Sequence, residues 1–122
     1  MVQLFNETRN KPAAPGLEVA DTFVTRFVGL LGRKELPRGA GLLLMKCNSV
    51  HMFFMRFAID VVFLGDDMDV IKIVPDLKPW RVASCSKARH TLELPSGEAG
   101  LRGIDVGDRL KLVENVTATE TA

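Results

Sequence analysis

The most apolar stretch of the chain, residues 49–64, also carries three ionisable side chains. It reads SVHMFFMRFAIDVVFL, so His51, Arg56 and Asp60 interrupt an otherwise hydrophobic run. A polar group taken out of water without a partner costs about 2–7 kcal/mol, so these side chains need partners if the stretch is buried. The pattern marks residues 49–64 as the candidate site of the protein.

Short apolar runs separated by glycine, proline and acidic residues predict a mostly β domain. Residues 59–64 and 70–74 are expected to pair as an antiparallel hairpin around Gly65-Asp66-Asp67, whose residue types suit a tight turn. Residues 41–46 are apolar on both faces, as in a buried strand. Further short strands are predicted at residues 2–6, 17–20, 80–83, 88–94 and 109–113.

The segments between these strands carry three more expectations. Residues 7–16 contain Pro12 and Pro15 and are predicted to be a loop, and residues 75–79 are expected to interrupt the sheet. The alternation of residue types in 88–94 predicts a strand with one buried face and one wet face.

Two helices are predicted, and they complete the fold class. Asp21 suits the N-cap of a medium helix at about residues 22–31, whose apolar stripe ends before Gly32. Ser96 suits the N-cap of a short helix at about residues 97–102. We therefore expect an α+β fold that is mostly β, with an antiparallel, barrel-like sheet whose openings the two helices cover.

Length and charge limit the possible functions. A chain of 122 residues with 47% hydrophobic residues suits one compact domain, expected at residues 1–114 with a flexible tail at 115–122. The net charge of +1 gives no global attraction to nucleic acid, so no nucleic-acid partner is expected. No apolar run reaches the roughly 18 residues of a membrane span, and the first residues do not resemble a signal peptide. These features predict a cytoplasmic protein.

Two cysteines and two histidines raise the question of a metal site. Cys47 precedes His51 by four positions and Cys85 precedes His90 by five, so the four side chains could in principle hold zinc. Zinc modules normally begin with two closely spaced cysteines, which this chain lacks. A disulfide between the cysteines is a second alternative, and two reduced, packed thiols are the commoner outcome in a cytoplasmic protein. No cofactor is expected.

Two roles are possible for the ionisable residues of the candidate site, one catalytic and one structural. His51 could act as a general acid or base, with Asp60 orienting its ring and Arg56 holding an anionic substrate. More often a histidine in such a run is structural and donates to a backbone carbonyl, and Asp60 would pair with Arg56 or Arg81 or cap a turn.

Large apolar side chains offer a different kind of site. Trp80 stands between Pro79 and Arg81, where a ring is hard to bury completely, which makes it the best aromatic candidate for contact with a partner. Core packing is the commoner outcome for such a residue. It is also the simplest expectation for a nearby aromatic and thioether cluster, although methionine-rich surfaces can line adaptable grooves. That cluster consists of Met45, Met52, Phe53, Phe54 and Met55.

Several motifs occur together in one order along the chain. They are Arg26-Phe-Val-Gly29-Leu30-Leu31, Gly41-Leu42-Leu43, Ser49-Val50-His51-Met52-Phe53-Phe54-Met55, Ile59-Asp60-Val61-Val62-Phe63-Leu64, Leu92-Glu93-Leu94-Pro95-Ser96-Gly97 and Gly107-Asp108. Together they resemble the widespread uncharacterised family of domain of unknown function 192, and in particular a bacterial subgroup with cysteines at the positions of Cys47 and Cys85. The resemblance implies a compact, mostly β domain and no established activity. His90 is not part of the pattern, and Ala58 replaces the usual proline.

These observations lead to one favoured function and one alternative. We expect a small-ligand or protein-interaction module with a polar site around His51, Arg56 and Asp60, its partner an unknown small molecule or protein. The alternative is a small enzyme that uses His51 as general acid or base, with Asp60 as the second catalytic candidate, on an anionic small substrate. The further binding candidates are Arg26, Trp80 and Glu93, and the weak metal candidates are Cys47, His51 and Cys85.

Overall fold

The structure, a computed structural model, describes residues 2–20 and 33–114. Over these residues the chain is mostly β, as predicted. The strands are β1 (Val2–Asn6), β2 (Lys11–Ala14), β3 (Gly16–Ala20), β4 (Ala40–Leu44), β5 (Ser49–His51), β6 (Ile59–Leu64), β7 (Val70–Leu77), β8 (Val82–Ser84), β9 (His90–Pro95) and β10 (Leu110–Glu114), and the helix is α1 (Glu98–Leu101). No helix within the described ranges is long and apolar enough to cross a membrane.

The strands form three sheets with the orders β10-β1-β2, β3-β4-β9-β6-β7 and β5-β8. The hairpin of β6 and β7 is antiparallel, as predicted, but β3 pairs with β4 in parallel, so the five-stranded sheet is mixed. In the described part of the chain the strands do not close into the expected barrel-like sheet. The helix predicted at residues 22–31 and the tail at 115–122 lie outside the described residues.

The centre of the five-stranded sheet is buried on both faces, whereas its outer strands β3 and β7 carry exposed residues. Every residue of β6 and β9 is buried, and the core residues divide into two clusters, one containing Val62, Leu92 and Leu94 and the other containing Val61 and Phe63. The expectation that residues 88–94 have a wet face was therefore wrong. Alternation along β9 is present, but a second apolar layer covers the face that carries the polar residues.

Two prolines expected to break the sheet lie within strands. Pro12 belongs to β2, which pairs with β1 across a register shift, and Pro75 belongs to β7. Both strands are outer strands of their sheets in the described part of the chain. An outer strand has one side without a partner, so the missing proline N–H costs little there.

Asp60 of β6 joins the central sheet to α1. Its side chain is 1% exposed, and its Oδ1 and Oδ2 accept hydrogen bonds from the backbone N–H groups of Asp76 and Ala99, each at 2.9 Å. The predicted N-cap by Ser96 was wrong. Gly97 occupies the N-cap without a side-chain bond, and Ser96 Oγ donates to Asp76 Oδ1 at 2.7 Å. Asp60 therefore satisfies a first-turn amide of the helix, as a local cap would do.

A second buried carboxylate, Asp108, links the turn before β10 to β1 and to the loop that follows it. Asp108, in the predicted turn after Gly107, accepts hydrogen bonds from Asn6 Nδ2 at 2.9 Å, from the backbone N–H of Asp105 at 3.0 Å and from Arg9 Nε at 3.1 Å. Burial alone would raise the pKa of Asp108, but these hydrogen bonds and the Arg9 charge outweigh it and hold the pKa below its ordinary value. The network is fully paired and is structural.

Candidate functional site

An exposed group of aromatic rings begins at His51, the last residue of β5. The His51 and Phe53 ring centroids are 5.0 Å apart, those of Phe53 and Trp80 are 5.9 Å apart, and Phe54 meets Trp80 edge-on at 5.0 Å. Phe53 is 41% exposed, Phe54 72%, Trp80 59% and Val82, which pairs with His51, 64%. These five residues are called the aromatic surface below. Contiguous exposed apolar patches of this kind mark sites of interaction.

Two turns of the backbone hold the aromatic surface in place. The N–H of Met52 donates to the carbonyl of Arg81, and the N–H of Trp80 donates to the carbonyl of Met52, each at 2.8 Å. The Met52 side chain is 1% exposed and packs into the core beneath the rings. The turn that carries Phe53 and Phe54 is therefore tied to the turn that carries Trp80, and both are anchored to the core.

The backbone at the two most exposed rings is strained. Phe54 has a φ of 65° and Trp80 a φ of 70°, in the left-handed region that favours glycine and asparagine. A residue in such a conformation costs about 1–3 kcal/mol and persists only where surrounding structure enforces it. The strained backbone directs two rings outward, where they contribute little to core packing.

A groove of about 610 Å³ lies beside the aromatic surface. It is lined by the three residues of β5, the three residues of β8, and Lys72 and Val74 of β7. Lys72 Nζ donates to the carbonyl of Ser84 at 3.2 Å, which fixes one wall of the groove. His51 and Val82 belong to both the groove and the aromatic surface, so the two form one continuous region.

Two exposed arginines lie close in sequence to the exposed rings. Arg56 follows Phe54 by two positions and Arg81 follows Trp80, and both are exposed. In the described part of the chain neither arginine side chain makes an ion pair or a hydrogen bond, whereas Lys78 lies 3.8 Å from Asp76. The unpaired charges at the rim are therefore positive.

The three ionisable residues of the apolar run do not form one hydrogen-bonded site. Asp60 is buried, with both oxygens bonded to backbone N–H groups, while His51 and Arg56 are exposed. Capping by Asp60 was one of the expected outcomes, and its pairing with Arg56 or Arg81 does not occur. A buried His51 satisfied by the backbone was also wrong. No described carboxylate bonds to the His51 ring, so the structure gives the general-base hypothesis no support.

Replacing His51 with Ala is expected to leave the free energy of unfolding within about 0.5 kcal/mol of the parent value, because an exposed ring without a hydrogen bond contributes little to stability. Urea denaturation followed by circular dichroism measures this. A loss of 2 kcal/mol or more, on the order of a lost buried hydrogen bond, would mean that the ring has a structural partner.

The cysteines and histidines do not gather as metal ligands. Cys47 and Cys85 are free, and Cys47 Sγ donates to the carbonyl of Ser49 at 3.2 Å. His90 Nδ1 accepts a hydrogen bond from the backbone N–H of Lys46 at 3.0 Å, and burial, aided by the charge of Arg89, lowers its pKa. Over residues 2–20 and 33–114 no three His, Cys, Asp or Glu side chains are placed to hold a metal ion.

The charged binding candidate Glu93 lies in the core, away from the aromatic surface. Glu93 is 5% exposed in β9, between Leu42 of β4 and Val61 of β6. Burial raises its pKa to about 7, and the charge of Arg33 opposes this shift only in part. Arg26 lies outside the described residues. Glu93 is therefore a titratable group of the core.

Sequence reasoning identified Trp80 and His51 but assigned Phe53 and Phe54 to the core. The signal that could have corrected this is the run Met52 to Met55, since four consecutive large apolar side chains cannot all point the same way. Of the four, Met52 is buried, Met55 is half-buried and the two phenylalanines point outward. Core packing of Trp80, the commoner outcome, was likewise wrong.

Comparison with known proteins gives consistent matches over nearly the whole described chain. The family model described as "Uncharacterized ACR", domain of unknown function 192, matches residues 5–112. A UPF0127 protein of Pyrococcus furiosus is 36% identical over 114 residues, covering 88% of this chain and 96% of that protein. This relative is archaeal, which gives no support to the bacterial origin that the resemblance implied.

Two solved structures share the fold. A protein of unknown function from Novosphingobium aromaticivorans superposes with a TM-score of 0.76 at 22% identity, covering 90% of this chain and 82% of that one. A protein of Sinorhizobium meliloti, described as a candidate transcription regulator, superposes with a TM-score of 0.78 at 21% identity, covering 90% of each chain. At these identities the likeness extends to the fold alone.

Proposed function

Since the chain belongs to the uncharacterised family of domain of unknown function 192, whose description names no activity, we propose from its geometry that it is a protein-interaction module. The aromatic surface is its contact site. The observation that carries the proposal is the exposure of Phe54 and Trp80 on strained backbone, in two turns that hydrogen bonds tie together at the core residue Met52.

The physical case begins with the kind of residue that is exposed. Tryptophan, other aromatic residues and arginine supply most of the binding energy at protein interfaces, where a central anchor is surrounded by less important contacts. Here Trp80 and the phenylalanines supply the anchor, and Arg56 and Arg81 lie at the rim. The rings already contact one another, so little side-chain freedom is lost on binding.

The chemistry of the region specifies the partner. An apolar segment would cover the rings, and acidic side chains would meet the unpaired charges of Arg56 and Arg81. The groove between β7 and the β5–β8 pair continues from His51 and has room for an extended chain. We therefore assign as partner a protein segment with apolar and acidic side chains. A second copy of this chain would bring like charges together at the rim and is disfavoured.

The test uses a random-peptide library displayed on phage and selected on the purified protein. We expect enriched peptides to combine apolar residues with Asp or Glu, and Phe54→Asn and Trp80→Asn each to weaken binding of the labelled peptides at least tenfold in fluorescence anisotropy. Asparagine tolerates the left-handed backbone, so these variants should retain the parent's free energy of unfolding. A folded variant that no longer binds then reports on the surface alone.

The matched control is Val106→Ser, since Val106 is 62% exposed and lies outside the aromatic surface. It should bind as the parent does. Enriched peptides that bind the Asn variants and the parent equally would contradict the proposal. A different result would also contradict the proposal. In it, no peptide is enriched, but a single-stranded oligonucleotide or vesicles of phosphatidylserine and phosphatidylcholine bind the parent and bind the Phe54 and Trp80 variants more weakly.

We also place the protein in the cytoplasm. The support is that Cys47 and Cys85 are both free thiols, as is usual where glutathione and thioredoxin keep cysteines reduced.

A further inference from the structure

A second cavity, of about 520 Å³, lies beside α1 and shares no residue with the aromatic surface. It is lined by Lys11 and Pro12 of β2, by Arg38, and by Glu98, Leu101 and Arg102 at the helix. These residues come from three separate parts of the chain. Three of them are cations and one is an acid.

The acid, Glu98, is buried and organises the cations. Its Oε2 accepts the backbone N–H of Gly39 at 2.6 Å, and its carboxylate lies 3.4 Å from Arg38 Nη1 and 3.4 Å from Arg102 Nε. Hydrogen bonds between ionised partners are usually about 2.7–2.9 Å long, so both arginines are positioned by Glu98 without being tightly bound by it. Arg38 Nη1 is held further by the carbonyl of Ser96 at 2.9 Å.

The cavity has more positive charge than its own acid can neutralise. Glu98 needs one cation, yet Arg38, Arg102 and Lys11 all line the same space. Within the described residues the Nη groups of Arg102 have no hydrogen-bond acceptor, and Lys11 has no ion pair. The lining therefore leaves two positive charges and several N–H donors free to meet a ligand.

Lys11 is an exposed residue whose ammonium group lies beside Gly103, just after the helix. A methyl group at Gly103, which has a φ of 67°, would lie 2.5 Å from Lys11 Nζ. The ammonium group is thus packed over the residue next to Arg102. The absence of a side chain at Gly103 is what lets the third cation reach the cavity.

We infer that this cavity binds the phosphate group of a small organic phosphate monoester. A monoester carries a charge of about −1.5 to −2 at pH 7 and several strong acceptor oxygens, which matches the surplus charge and the free donors. The cavity volume falls within the range of small-molecule sites, and Pro12 and Leu101 offer apolar contact for the organic part.

Isothermal titration calorimetry with inorganic phosphate and phenyl phosphate tests the inference. We expect one saturable site, with phenyl phosphate bound at least fivefold more tightly than inorganic phosphate. Lys11→Gln should weaken phenyl phosphate at least tenfold, and Arg102→Gln should do the same. Because Arg102 also supports the buried Glu98, Lys11→Gln, which removes no described ion pair, is the decisive variant.

Lys111→Gln is the matched control, because Lys111 is an exposed lysine that pairs with Glu7 at 3.9 Å and does not line this cavity. It should change the affinity less than twofold. Absence of saturable binding, or equal weakening by Lys11→Gln and Lys111→Gln, would overturn the site. Equal affinity for the two probes would overturn its assignment to an organic phosphate. None of these outcomes depends on the aromatic surface.

Discussion

Replacing Asp60 with Ala is expected to lower the free energy of unfolding by about 3–5 kcal/mol. The change leaves the backbone N–H groups of Asp76 and Ala99 without an acceptor, and hydrogen bonds to charged groups are worth about 1.5–3 kcal/mol each. Asp60→Asn keeps the shape but offers only one acceptor oxygen, so about half that loss is expected. Urea denaturation followed by circular dichroism gives both values.

The control for this prediction is Asp66→Ala. The Asp66 side chain is 86% exposed and lies 3.7 Å from Arg89, an arrangement that contributes little in water. Its free energy of unfolding should stay within about 0.5 kcal/mol of the parent value. If Asp60→Ala unfolds at the same urea concentration as Asp66→Ala, Asp60 does not join α1 and the end of β7 to β6.

Replacing Glu93 with Gln is expected to remove a pH dependence of stability. Burial raises the pKa of Glu93 from 4.5 to about 7, so the folded protein holds this proton more tightly than the unfolded chain. Its contribution to stability is full below pH 4.5 and is lost as the pH rises toward 7. Since one pKa unit corresponds to about 1.4 kcal/mol, the loss is about 3 kcal/mol.

The measurement compares the free energy of unfolding of parent and Glu93→Gln from pH 4 to pH 8. The free energy of unfolding of the variant minus that of the parent should increase by about 3 kcal/mol from pH 4 to pH 8. Asp108, whose pKa is lowered, contributes a pH dependence of stability with the opposite sign. Because this contribution is present in both proteins, it cancels when the parent value is subtracted from the variant value. A difference between variant and parent that stays constant from pH 4 to pH 8 would mean that the folded protein does not raise the pKa of Glu93.

The elements that sequence patterns placed well are those decided by neighbouring residues. The β6–β7 hairpin follows from two apolar runs around Gly65-Asp66-Asp67, and β1, β3 and β4 follow from short apolar runs between breakers. The burial of both faces of β9 could not be read from its own alternation. Which layer covers a strand depends on residues far away in the sequence.

The same limit applies to the polar residues. Ser96 has the right residue type and place for a local N-cap, but Asp60, 39 positions from Ala99, supplies the acceptor. Asp60 was identified as needing a partner, yet its partners are two backbone amides that no side-chain pattern shows. Lys11, Arg38 and Arg102 are too widely separated in sequence for any motif to group them.

The aromatic surface shows why function was harder to derive than fold. Hydrophobicity alone assigned Phe53 and Phe54 to the interior, because burial is the usual outcome for such residues. Their exposure follows from backbone turns tied together through Met52 and Arg81, and from left-handed conformations that no local residue type predicts. Departures from local rules of this kind are expected where a protein has been shaped for contact.

The most direct test of the aromatic surface as the contact site is a nuclear magnetic resonance titration of the labelled protein with an enriched peptide. Trp80 is the single tryptophan, so its indole N–H gives one resonance at the centre of the surface. We expect that resonance, and the amide resonances of residues 51–56 and 78–84, to shift in a saturable manner. Saturable shifts elsewhere, with the Trp80 indole unchanged, would contradict the proposed function.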